Sequence, residues 1–157
     1  MSRPVWIAPI AIAVLVVAGC GSGDSETPAA CLGTAGDYLE ALEEAPGEVR
    51  LGGDTPISDC LVSGQEAGDL STVGSATVEA ATRLNSEARR APGSEATVQL
   101  GYLVGAVQEG AAETGGIHAD LVRRLDSAAR FNKGGEPFPV AFERALGEGY
   151  AAAQDGG

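Results

Sequence analysis

The sequence predicts an all-α fold, a small bundle of four to five main helices held by one disulfide. Three observations carry this. Apolar residues recur at three- and four-residue spacing along most of the chain. Pro-Gly and Gly-Gly pairs punctuate it at intervals suited to helices and their connections. No stretch alternates with period two for long enough to predict a strand.

Leu32, Ala35, Leu39 and Leu42 share a helical stripe, so a first helix is expected from Cys31 to Ala45, ended by Pro46-Gly47. Residues 46–54 read as a loop. Thr55 as N-cap and Pro56 as first helical residue then open a short helix carrying Ile57, Cys60 and Leu61, closed by Gly64. The longest candidate spans 66–91, with Leu70, Val73, Thr77, Ala81, Leu84 and Ala88 on one stripe. Arg89 and Arg90 stand at its C-terminal end, where the helix dipole favours cations. Pro92-Gly93 stops it, and the next helix packs back as an antiparallel hairpin.

Residues 95–114 are apolar on two faces. Ala96, Leu100, Leu103, Val104, Val107 and Ala111 form one; Val98, Gly101, Gly105 and Ala112 form a second made of small side chains. Such a helix is central, with neighbours on both sides. Gly101-x-x-x-Gly105 therefore reads as close packing in a core rather than a membrane contact, since Gln99 and Gln108 bound the apolar run. A helix at 117–131 turns Ile117, Leu121, Leu125 and Ala128 inward, and Phe131 to Gly135 reads as a cap and loop. The last helix starts between Pro137 and Pro139, carries Phe138, Phe142, Ala145, Leu146 and Tyr150, and frays over Asp155–Gly157. The tyrosines and phenylalanines are expected in the core or at its edge. The acidic run Glu40, Glu43, Glu44 and Glu48 is expected to be a solvated face.

The N-terminus has a different character. Arg3 precedes an apolar and small stretch from Val5 to Gly19, the form of a secretory signal. The stretch is short for a membrane-spanning helix and contains Pro9. Arg3 stays on the cytoplasmic side, so the rest of the chain is threaded outward. The stretch ends Leu15-Val16-Val17-Ala18-Gly19-Cys20. This resembles the lipobox of bacterial lipoproteins: an aliphatic residue, two small residues, then the cysteine. The resemblance covers residues 1–20. It implies diacylglyceryl transfer to the Cys20 thiol, cleavage between Gly19 and Cys20, and acyl chains that hold the protein on the extracytoplasmic face of the cell membrane. One lysine against nine arginines, with abundant Gly and Ala, resembles the residue usage of GC-rich actinobacterial genomes.

The expected organisation is thus a signal over 1–19, the lipidated cysteine and a flexible tether over 20–30, and a helical domain over 31–157. The tether, GSGDSETPAA, is small, polar and Pro-containing. Cysteine arithmetic supports the same picture. The chain has 3 cysteines; lipidation takes Cys20 and leaves Cys31 and Cys60 to pair in an oxidising compartment. They lack the paired close spacing of a zinc site.

All 22 acidic residues and nine of the 10 basic ones lie after position 20. So acidic a domain disfavours nucleic acid and an anionic bilayer surface as partners. Neither a Ser-His-Asp signature, a His-Glu-x-x-His motif, a phosphate loop nor a dinucleotide fingerprint is found in the sequence. No cofactor and no metal is expected. His118 is the single histidine; Thr114, Gly115, Leu121 and Val122 at the neighbouring helical positions offer no good ligand set. It is expected to be a half-exposed first-turn residue, neither base nor ligand. The function expected is a non-enzymatic envelope module that binds another envelope protein; the alternatives are a small-ligand carrier and an enzyme with a site assembled from scattered residues. Leu84, Leu103 and Leu125 are expected inside. Leu103→Ala should therefore cost about 2–5 kcal/mol in denaturant unfolding, whereas a loss near the roughly 0.5 kcal/mol of surface changes would put it outside.

Overall fold

A computed structural model describes residues 26–156, so the expected signal, Gly19 and Cys20 lie outside the described residues. Five helices dominate: α1 (Ala35–Leu42), α2 (Ala67–Arg90), α3 (Glu95–Ala112), α4 (Ala119–Ala129) and α5 (Val140–Gly156). Short 3₁₀ turns at Ala29–Leu32 and Ser58–Cys60 precede α1 and α2, and a two-stranded ribbon joins β1 (Arg50–Leu51) to β2 (Thr55–Pro56). The helical bundle matches the class that the sequence predicts.

The centre is α3. Leu100, Leu103 and Val107 are completely buried, and α2, α4 and α5 all pack on this helix. Its small-residue face meets α5 at very close range. A Cβ on Gly101 would overlap the Leu146 carbonyl, and one on Gly105 would lie 2.8 Å from the Tyr150 carbonyl oxygen. The contact is reciprocal: a Cβ on Gly149 of α5 would overlap the Val98 carbonyl of α3. The glycine spacing thus serves helix packing within the domain. No described helix is long and apolar enough to cross a membrane. Leu84 and Leu125 fill the interfaces of α2 and α4.

The N-terminal region departs from expectation. The first helix is split: Cys31 sits in a 3₁₀ turn, and α1 starts only at Ala35. Gly33 and Thr34 break the run, and the Asp37 carboxylate accepts the Thr34 backbone N–H at 2.6 Å, a local cap that fixes the new start. Thr55 and Pro56 do not open a helix. Gly52 and Gly53 take φ of +61° and +90°, turning the chain so that Arg50 pairs with Pro56 and Leu51 with Thr55. Pro56 is tolerated because the strand is an edge. Part of the span expected as tether, from Thr27 on, lies within the described residues and is folded. Thr27 is buried and Ala29–Leu32 is folded onto the domain, so the folded body begins before Cys31.

Cys31 and Cys60 form the disulfide, with Cα atoms 5.4 Å apart. Tyr38 of α1 reinforces this corner by donating from its hydroxyl to the Cys31 carbonyl at 2.9 Å. Burial pushes the Tyr38 phenol well above its ordinary range. Tyr38, Tyr102 and Phe142 are buried as expected, and Phe138 stacks on Phe142 at 4.2 Å between centroids. Phe131 and Ile117 are corrections: both are exposed, because each belongs to a glycine-containing turn beyond the ends of α4. At the C-terminus α5 continues through Asp155 to Gly156, where the sequence suggests fraying.

Two glycines of α5 should respond oppositely to alanine. Gly149→Ala drives a methyl into α3 backbone and should destabilise by about 1–3 kcal/mol, the cost of overpacking. Gly147 faces open space, so Gly147→Ala should stabilise by about 0.5–1 kcal/mol through helix propensity. Urea unfolding of the two variants checks the sign of each.

Candidate functional site

One end of the bundle gathers the N-termini of α2 and α4, the C-termini of α3 and α5, and the entry of the chain at Glu26–Thr27. Gln65, just before α2, is buried there. Its Nε2 donates to Thr27 Oγ1 and to the Cys60 carbonyl, both at 2.9 Å. Its Oε1 lies 2.7 Å from His118 Nε2, and His118 Nδ1 lies 2.8 Å from Thr114 Oγ1. Thr114 Oγ1 is also 2.8 Å from the Ala111 carbonyl oxygen. One amide therefore ties together the incoming chain, the disulfide and the start of α4.

The partners decide the protons. Both Nε2 hydrogens of Gln65 are engaged, so its Oε1 faces His118, and His118 Nε2 must carry a hydrogen. In the neutral ring Nδ1 then accepts the Thr114 hydroxyl. In the imidazolium Nδ1 donates to Thr114, whose hydroxyl turns to Ala111. The ring is fully buried, and burial lowers its pKa. This corrects the half-exposed position expected for His118. The residue precedes α4 on the inward side, and Gln65 covers it. Neither ring nitrogen is open to a ligand.

Beside this network lies an open cleft of ≈ 980 Å³. Ser58 and Asp59 form one wall, the end of α3 from Gln108 with Glu113 and Thr114 just beyond it a second, and Tyr150 with Gln154 of α5 a third. The Tyr150 hydroxyl donates to Gln108 Oε1 at 2.9 Å, and Gln154 Nε2 donates to the Gly105 carbonyl at 2.9 Å, which fixes the α5 wall. Glu26, Asp59, Glu109 and Glu113 line the cleft, and among the described residues no lysine or arginine does. It can receive a polar or cationic group. Among the described residues, no three His, Cys, Asp or Glu side chains converge as a metal site.

The structure brings together Cys31 and Cys60 as predicted. It adds Gln65 and Thr27, which sequence reasoning does not single out, and gives Thr114, named there only as a poor metal ligand, a hydrogen bond to His118; a lone polar residue after Gly64 carries no periodic signal. The solvated acidic face expected on the first helix and just beyond it is present: Glu40, Glu43, Glu44 and Glu48 are all exposed. No family model, characterised protein or solved structure matches the chain.

The buried ring sets a pH dependence. The unfolded chain takes up a proton near an imidazole's ordinary 6.5, while the folded chain resists it to lower pH. The stabilisation is thus complete above that value and is lost as pH falls through it toward the folded pKa, with a slope of at most about 1.4 kcal/mol per pH unit. Melting temperatures between pH 8 and 5 should fall more steeply for the wild type than for His118→Gln. Parallel curves would show that the ring does not titrate differently on folding.

Proposed function

We propose that the chain is a membrane-anchored, extracytoplasmic lipoprotein, acting as a non-enzymatic interaction module that binds another protein of the cell envelope. The single observation that carries the reading is Leu15 to Cys20 at the end of an apolar stretch preceded by one arginine. Position, hydrophobic run and cysteine agree, and acylated Cys20 would hold the protein to the bilayer, two or three chains sufficing for stable attachment. The Cys31–Cys60 disulfide supports the assignment to an oxidising compartment. The engagement of both His118 nitrogens inside the fold supports binding over acid–base catalysis at that residue.

A second reading, a small-ligand carrier, is favoured by the cleft beside Thr114. Its carboxylate lining would select a polar, cationic ligand rather than an apolar one. The anchor is tested by metabolic labelling with a fatty acid. Wild-type protein should take up label and Cys20→Ala should not; label that survives the substitution would refute the lipobox reading.

A further inference from the structure

At the end of the bundle opposite Thr27, the C-terminal ends of α2 and α4 enclose a groove of ≈ 510 Å³. Asn85 of α2 is buried at its base and donates from Nδ2 to the carbonyls of Ala128 and Phe131, at 3.0 and 2.9 Å. These bonds hold α4 to α2, so the floor of the groove is fixed. Ala128 and Phe131 supply apolar lining, and Phe131 is 60% exposed. Arg89 and Arg90 form the other edge, and both are exposed.

The charges at this edge are unanswered within the described fold. The chain carries a net charge of −12. Yet among the described residues the ion pairs use Arg50, Arg83, Arg123 and Arg130, and none uses Arg89 or Arg90. The dipole of α2 explains why cations are tolerated at its C-terminus. It does not explain an aromatic ring left in water beside them. Guanidinium and aromatic groups around a fixed pocket are the composition of a protein–protein anchor site, where Arg binds carboxylate in a fork and the ring buries an apolar side chain.

We propose that this groove docks a partner protein through a segment carrying a carboxylate beside an apolar side chain. The proposal deepens the interaction-module reading and rests on it. Charge complementarity selects the occupant: a carboxylate is attracted to this edge and repelled by the acidic remainder of the surface. A polyanion would need a row of cations and would leave Ala128 and Phe131 without a function.

The experiment uses the full chain and a short fluorescent peptide in which glutamate alternates with leucine, monitored by anisotropy. Binding should weaken at least about tenfold in the Arg89→Gln/Arg90→Gln variant, the equivalent of one lost charge contact. Phe131→Ser should weaken it as well, and Arg123→Gln/Arg124→Gln on the outer face of α4 should not. Circular dichroism of each variant shows that the fold is intact, as expected for exposed positions. A peptide with glycine for leucine should bind more weakly. Equal binding of that peptide or of polyphosphate would assign the groove to anions in general and overturn the proposal. So would self-association of the chain abolished by the same arginine substitutions, no peptide binding, or binding indifferent to them. Failure of fatty-acid labelling with peptide binding intact would instead sink the anchor alone.

Discussion

The close approach of α3 and α5 is the constraint on which the rest of the structure depends. Two helices carrying ordinary side chains sit 8–10 Å apart. Here Gly101, Gly105 and Gly149 let each backbone press on the other's carbonyls. The area gained is backbone against backbone, with no side-chain entropy lost at the contact. Once α5 is seated on the small-residue face, the opposite face of α3 is left with Leu100, Leu103 and Val107 to be covered by α2 and α4. Gly110 repeats the device at the far end of α3, where a Cβ would overlap the Ser58 carbonyl. The disulfide corner thereby rests on the same central helix.

The same constraint explains what is legible in the sequence. Helices α2 and α3 are long and periodic, Pro92-Gly93 separates them, and Gly64 and Gly115-Gly116 flank their outer ends, so pattern alone places them within a few residues. The two-faced character of α3 even announces its central position. The N-terminal region defeats the same reasoning because its elements are short. Leu32 and Leu39 continue a helical spacing across Gly33-Thr34, but the Asp37 cap interrupts the helix between them. Thr55-Pro56 has the chemistry of a helix start, yet the positive φ of Gly52 and Gly53 pairs it with Arg50-Leu51 first. Local propensity loses there to a turn formed a few residues earlier.

The polar knot around Gln65 is illegible for a different reason. Nothing in a single sequence distinguishes a surface glutamine from one that meets a histidine 53 residues away. The knot compensates for burying an imidazole by engaging both of its nitrogens, the condition under which a buried polar group is tolerated. It also explains why the folded body takes in Thr27 and does not start at the disulfide. Gln65 holds the incoming chain with the same amide group that holds the Cys60 carbonyl and faces His118. A pull on the chain at Thr27 is therefore received by α2, α4 and the disulfide together.

That attachment gives the molecule a direction. Residues 26–69 carry ten acidic side chains and one arginine, and the cleft at the attachment end is walled by four carboxylates. Arg89, Arg90 and the exposed Phe131 lie at the other end of α2, whose 24 residues put roughly 36 Å between the two ends. An anchor at Cys20 would pull the acidic end toward the bilayer, where like charge keeps it from lying flat on anionic lipid. The groove at the far end would then point away from the membrane, free of the surface that tethers it. On that reading adhesion and recognition would be separated by the length of one helix, with α3 and α5 packed backbone against backbone between them.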